Sequence, residues 1–245
     1  MSYKTGLREI ARSMGYDLVR YDHQFHPRAR KAKFLELFGI NTVLDVGANT
    51  GQYASELRDI GYHGKIKSFE PLDDAFKVLQ NNAADDNDWE VFRYALGDQD
   101  EAGKINVSAN SVSSSILPML PAHDEAAIGS SYVTEQNIQI RKLDSLYADL
   151  CDGARNIYLK IDAQGFEKKV MDGAQDSLPK IDTVELEISL TPLYEGAPTF
   201  DQLQSYMQEN GYDLIGLEPG FSAPDTGRML QIDGIYHRYS QLISD

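Results

Sequence analysis

Apolar runs of about five residues alternate along the chain with longer segments of helical periodicity, which predicts strands and helices in turn. Residues 1 to about 38 read as helical and precede the first strand. Strands are expected near 42–47, 65–70, 90–94, 156–161, 182–188, 212–217 and 229–236, with helices near 51–60, 72–84, 164–174 and 199–210. That alternation implies an α/β fold: a mostly parallel sheet with helices on both faces. Lys104 to Val107 and Asn137 to Arg141 read as two more short strands, flanking a Ser- and Ala-rich stretch from Ser108 to Thr134. A connection this long within a compact domain is a functional lid or a flexible loop. No repeat or linker divides the chain, so residues 1–245 are expected to form one domain, with 1–38 as a helical N-terminal extension. The extension packs either over the site as a cap or in the outer shell.

The most informative junction follows the first strand. Thr42-Val43-Leu44-Asp45-Val46 stops at a turn holding Gly47 and Gly51, and a helix begins at Gln52. Such a strand, turn and helix leave backbone N–H groups pointing into one crevice, with no side chain between ligand and glycine. The dinucleotide pattern G-x-G-x-x-G needs a central glycine where the backbone closes on a pyrophosphate. Asn49 stands at that position. A carboxylate from Asp45 facing the turn would repel phosphate and attract the sulfonium and ammonium of S-adenosylmethionine; otherwise Asp45 ties down the loop. Glu70 ends the second strand nineteen residues past Gly51, where a carboxylate accepts both ribose hydroxyls of an adenosine, in NAD as well as in S-adenosylmethionine.

With these residues the chain resembles the FkbM-type S-adenosylmethionine-dependent O-methyltransferases. The resemblance is carried by Leu44-Asp45-Val46-Gly47-Ala48-Asn49-Thr50-Gly51-Gln52, Phe69-Glu70-Pro71, Ala95-Leu96-Gly97-Asp98, Ser113-Ser114-Ser115, Lys160-Ile161-Asp162-Ala163-Gln164-Gly165-Phe166-Glu167 and Val184-Glu185-Leu186-Glu187. It spans roughly residues 40 to 238, and its later blocks are more specific than the first. It implies a class I methyltransferase (Rossmann-like) sheet whose final strand runs antiparallel beside the fifth. It also implies methyl transfer to a hydroxyl of a sugar or natural product. The implied cofactor set is Asp45, Gly47, Asn49, Gly51, Gln52, Glu70, Leu96 and Ser114. The Gly/Pro-rich segment from Glu218 to Arg228 resembles a family loop, in which Phe221 would shape the acceptor pocket or simply belong to a long hairpin.

Composition narrows the partners. The net charge of -15 works against a nucleic-acid substrate, since a phosphate backbone calls for a Lys/Arg stripe. The one basic cluster, Arg28, Arg30, Lys31 and Lys33, reads as the solvated face of a helix. No apolar run reaches the length of a membrane span and the first residues lack a signal peptide's apolar core, so a soluble, cytoplasmic protein is expected. The single cysteine, Cys151, fits a reducing compartment and reads as an idle thiol. The oligomeric state is not legible.

Methylation of an alcohol, whose proton has a pKa of about 15, needs a base or a divalent cation. Asp162 at the end of the fourth central strand is the leading base, with Glu187 at the end of the fifth beside it. The same two carboxylates are rival ligands for Mg²⁺. Glu185 shares a face with Glu187. Glu167 lies near a helix N-terminus, and Lys160 is placed to pair with a carboxylate. His237 is a secondary candidate for the base, while His23 and His26 lack a third metal ligand. Two other functions share part of this pattern: an NAD-type oxidoreductase and a non-catalytic nucleotide-binding protein.

Overall fold

The computed structural model describes residues 3–127 and 129–238. Residues 1, 2, 128 and 239–245, parts of the expected extension, long connection and single domain, lie outside the described residues. In chain order the elements are α1 (Tyr3–Ser13), α2 (Pro27–Leu37), β1 (Thr42–Val46), α3 (Gln52–Asp59), β2 (Lys65–Phe69), α4 (Asp73–Ala83), β3 (Trp89–Phe92), β4 (Ala95–Leu96) and β5 (Glu101–Ser108). They continue with α5 (Pro121–Ala126), β6 (Tyr132–Arg141), α6 (Leu143–Leu150), β7 (Ile157–Ile161), α7 (Glu167–Asp172), β8 (Thr183–Ser189), α8 (Phe200–Glu209), β9 (Asp213–Pro219) and β10 (Gln231–His237).

Seven strands form one sheet in the order β3-β2-β1-β7-β8-β10-β9. The five from β3 to β8 pair in parallel, and β10 runs antiparallel between β8 and β9. The central strand β1 is buried on both faces, as a strand covered by helices on each side must be. Its residues divide by parity. Leu44 and Val46 join a core with β7, β8 and residues of α6, α7 and α8, while Val43 joins a second core with α2, α3 and α4. Asp45, two residues from Val43, therefore points toward the α2–α3 side. A second, three-stranded sheet in the order β4-β6-β5 includes the two short strands expected near 104–107 and 137–141, both longer than their apolar cores suggest.

Two helical segments end differently from the sequence reading. The helical segment expected over 1–38 is α1 and α2 with no helix across 14–26, where Gly15 turns left-handed (φ 85°) and Pro27 opens the next helix. The helix expected near 164–174 is only Glu167–Asp172, because Gln164 and Gly165 adopt φ of 51° and 94° and make a tight turn first. Two short helices, α5 and α6, went unread.

Gly47 marks where the two central strands converge. Its φ is 79°, and a Cβ there would lie 1.8 Å from the Asp162 carbonyl oxygen. Asp162 N–H also donates to the Val46 carbonyl at 3.1 Å, so the ends of β1 and β7 are fastened without room for a side chain. Gly47→Ala is expected to cost more than about 2 kcal/mol, because strain at positive φ is joined by a main-chain clash. Gly61→Ala, at φ 88° with nothing within 4 Å, should cost only about 1–2 kcal/mol. Denaturant midpoints of the two variants decide it: equal losses would mean that the strand ends separate freely.

Candidate active site

A cavity of about 670 Å³ opens at the carboxyl ends of the parallel strands, bounded by the Gly47 turn, the Ser111–Ile116 loop and the start of α2. Beneath it lies a row of paired side chains on one sheet face. Register places Ser68, Asp45, Lys160 and Glu185 side by side on β2, β1, β7 and β8. Ser68 Oγ donates to Asp45 at 3.0 Å, and Trp89 Nε1 donates to Ser68 Oγ at 3.0 Å. Lys160 Nζ lies 3.8 Å from Asp45 and 3.1 Å from Asp162. Glu185 accepts from Lys31 Nζ at 3.0 Å and from the Tyr53 and Tyr158 hydroxyls at 2.6 Å each. Burial raises the Glu185 carboxyl, but Lys31 and the two tyrosine hydroxyls outweigh it and hold the pKa below the ordinary value. Lys160 is likewise opposed by burial yet raised by Asp162 and Asp45.

This row changes two readings. Lys31, taken as part of a solvated helix face, is 5% exposed and anchors α2 to the sheet. Asp45 is fully buried and absent from the cavity wall, and burial raises its pKa. It sits within the row, one step below Gly47 on the same sheet face, with Ser68 and Lys160 as its neighbours.

Lys31, Lys160 and Glu185 of the row reach the cavity wall, which the loop residues complete. Gly47, Asn49, Gln52, Glu70, Leu96, Ser114 and Asp162 all line the cavity. Glu70 is 4% exposed, and its two oxygens accept the backbone N–H groups of Asn49 and Leu72, both at 2.8 Å. Burial pushes its pKa up to about 7 against these two bonds. Asn49, at φ 47°, donates its side-chain amide to Ser111 Oγ at 3.4 Å, which ties the serine loop to the glycine turn. Ser114 Oγ accepts from Ser108 N–H at 3.0 Å, and Ser115 Oγ donates to the Gln164 carbonyl at 2.7 Å, so this loop is pinned at several points. Gly51 lies off the wall and packs against Trp89, which a Cβ would approach to 2.8 Å.

At the end of β7, Asp162 accepts from Lys160 Nζ at 3.1 Å and from Gln164 Nε2 at 2.8 Å. The same Gln164 amide donates to Glu187 at 2.8 Å, and Gln164 Oε1 accepts from the buried Tyr194 hydroxyl at 2.6 Å. Glu187 thus stands behind Gln164 and outside the cavity wall. Burial and the nearby Asp162 raise its pKa strongly. Among the described residues no three His, Cys, Asp or Glu side chains are arranged to hold a metal ion. Asp162 and Glu187, the two carboxylates expected to share Mg²⁺, are instead bridged by the Gln164 amide, which donates to both. Glu167 caps the turn after β7, accepting from Ala163 and Gly165 N–H at 3.0 Å each.

His237 is displaced altogether. Because β10 is antiparallel, its last residue pairs with Thr183, the first residue of β8, at the amino ends of the parallel strands. There His237 stacks on Phe38 at 3.6 Å and shares a 2.8 Å hydrogen bond with Thr183, and burial lowers its pKa to about 4. Phe221 also leaves the acceptor side, packing with Leu193, Tyr194 and Leu230. The opposite end of β10 brings Asp233 to the cavity, together with Tyr53, Lys31 and Glu218. The sequence reading missed these four. Asp233 had one signal, an acid between Ile232 and Ile235 in the last strand.

An open α/β sheet with a glycine turn and an acid at adjacent strand ends, closed by an antiparallel strand beside the fifth parallel one, defines a class I methyltransferase (Rossmann-like) fold. The methyltransferase FkbM domain matches residues 45–214, and the chain belongs to that family. No curated protein matches the chain. Among solved structures, it is similar to an uncharacterized protein from Listeria monocytogenes serotype 4b, with 8% identity, TM-score 0.49 and coverage of 87% of this chain and 67% of that one. It is similar to TehB from Haemophilus influenzae, with 10% identity, TM-score 0.46 and coverage of 84% and 60%. An rRNA methylase from Streptococcus thermophilus is also similar, with 10% identity, TM-score 0.45 and coverage of 87% and 96%. Among the described residues no helix is long and apolar enough to cross a membrane.

Removing one partner of a buried ion pair leaves an uncompensated charge, at about 3–5 kcal/mol. Lys31→Met is expected to lose stability on that scale, and Lys31→Met combined with Glu185→Gln should recover much of it. Chemical denaturation of the single and double variants measures the coupling. A fully stable Lys31→Met protein would show that the pair does not hold α2 in place.

Proposed function

We propose that the cavity takes S-adenosylmethionine against the glycine turn and that its methyl group passes to a hydroxyl of a small-molecule or glycan acceptor. The observation that carries this reading is the strand-end trio of Glu70, Gly47 and Asp162, which follow the adjacent strands β2, β1 and β7 and all line one cavity. The bound donor supplies an electrophilic methyl group on a positively charged sulfur. Glu70 suits its ribose: each carboxylate oxygen spends one lone pair on a backbone N–H and retains another for a ligand hydroxyl. Gly47, Asn49, Gln52, Leu96 and Ser114 complete the donor side. Asp162, held in place by Lys160 and Gln164, accepts the acceptor's hydroxyl hydrogen bond and takes its proton as the oxygen attacks.

The same reading makes the protein a cytoplasmic enzyme with residues 1–245 as one domain. Nucleic acid is disfavoured as acceptor by the net charge of -15. An NAD-type oxidoreductase is disfavoured by Asn49 at the central-glycine position of the dinucleotide loop. Calorimetry with S-adenosylmethionine against NAD tests the donor, and transfer from labelled S-adenosylmethionine to a panel of hydroxylated acceptors tests the reaction.

Asp162→Asn should lower turnover by about 10²- to 10⁴-fold while donor affinity stays within about twofold. A variant that turns over normally removes Asp162 from the chemistry. The Glu70 carboxyl, raised to about 7 by burial, accepts ribose hydroxyls best when ionised, and its ionised fraction grows as pH climbs through that value. Donor affinity should accordingly increase from about pH 6 to about pH 8. In Glu70→Gln it should be weaker and flat with pH. Calorimetry across that range reads both, and an unchanged slope in the variant would assign the titration to another group.

A further inference from the structure

The part of the cavity beyond Asp162 is walled by β9, β10 and the start of α2. Asp233 lies directly opposite Glu187 on one side and Glu218 on the other, so three carboxyl residues sit in one cross-strand row. Like charges in opposed positions destabilise a sheet unless something compensates them. The cations of the wall are already engaged. Lys31 holds Glu185 at 3.0 Å, Lys160 holds Asp162 at 3.1 Å, and Arg28 lies 3.5 Å from Glu56 and 3.6 Å from Asp59. Glu218 is 8% exposed and faces the cavity, yet its Oε1 accepts no hydrogen bond. Arg30 Nη1 forms a long ion pair with this oxygen at 3.9 Å without donating a hydrogen bond to it. Asp233, half-buried on the same wall, lies directly across from Glu218.

A desolvated carboxylate oxygen lacking a donor is costly, and a second acid beside it adds repulsion. A neutral hydroxyl would satisfy one oxygen and leave the negative charge in place. An ammonium group brings three donors and cancels the charge. We infer that Glu218 and Asp233 form an ammonium subsite, so that the acceptor, on the methyl-transfer reading above, is a hydroxylated molecule that also carries a protonated amine, as an amino sugar or aminocyclitol does. Burial together with Glu185 and Asp162 raises Asp233 to about 7, and burial raises Glu218. A cation between them would draw both back toward the ionised form. The acidic wall then discriminates among hydroxylated acceptors by charge, and the transferred methyl still goes to oxygen near Asp162.

The test compares matched probes on the full chain, with and without saturating S-adenosylhomocysteine to fill the donor side. Glucosamine is titrated against glucose and ethanolamine against ethylene glycol at neutral pH, with binding followed by NMR line shape or calorimetry. The amine member of at least one pair should bind measurably more tightly than its neutral counterpart. Glu218→Gln and Asp233→Asn should each weaken that binding by about tenfold or more, with S-adenosylhomocysteine affinity unchanged. No amine preference in either pair overturns the subsite, as does a preference that survives both substitutions. Should either variant fail to fold by circular dichroism, the wild-type pair comparison still decides. Failure of S-adenosylhomocysteine to bind would count against the donor assignment alone, since the titrations without it report on Glu218 and Asp233 independently.

Discussion

Four alternating charges, Asp45, Lys160, Glu185 and Lys31, run beneath the cavity from β1 across β7 and β8 to α2. All four are nearly or wholly buried. Taking such groups out of water costs several kcal/mol each, and only close geometry with further hydrogen bonds offsets it. Parallel register supplies that geometry by setting the three strand residues side by side. Tyr53, Tyr158 and Ser68 supply the hydrogen bonds. The two elements that close over the cavity depend on this row, since α2 reaches it through Lys31 and α3 through Tyr53.

The row also explains why the site begins one step higher. On each strand the next residue on the same face is two positions on: Gly47 after Asp45, Asp162 after Lys160, Glu187 after Glu185. The lower positions alternate acid and base. The upper ones carry a glycine and several acids, with fewer cations to balance them. The carboxyl ends of the sheet thereby present an acidic rim over a bare main-chain floor, an environment suited to positively charged ligands and hostile to polyphosphates. Lys160 links the two levels, since its ammonium serves Asp45 below and Asp162 above.

Much of the architecture was legible because it rests on local signals. The run Thr42–Val46 is buried on both faces and reads as an unbroken apolar strand except at Asp45. Asn49 in the turn and Glu70 after β2 follow from their spacing to Gly47 and Gly51. Other assignments failed where pairing direction or long-range contact decides. His237 follows the last strand, and whether that brings it to the site or to the opposite edge depends on the antiparallel direction of β10. Lys31 and its basic neighbours look like solvent-facing charge until Glu185, 154 positions away, is seen to need a cation. The helix after β7 was drawn too long because propensity does not foresee the left-handed turn at Gln164 and Gly165.

The alternation of strands and helices, the glycine turn, and the carboxylates near the ends of β2, β7 and β8 could be read from the chain alone, since each depends on residues close together in it. Which carboxylates reach the cavity is a matter of long-range packing. Depth below the strand end buries Asp45, the Gln164 amide screens Glu187, and the antiparallel return of β10 brings Asp233 opposite Glu218 while carrying His237 away. The reason is physical: the facing direction of a side chain follows from strand register and sense, and these are set by packing between segments far apart in sequence.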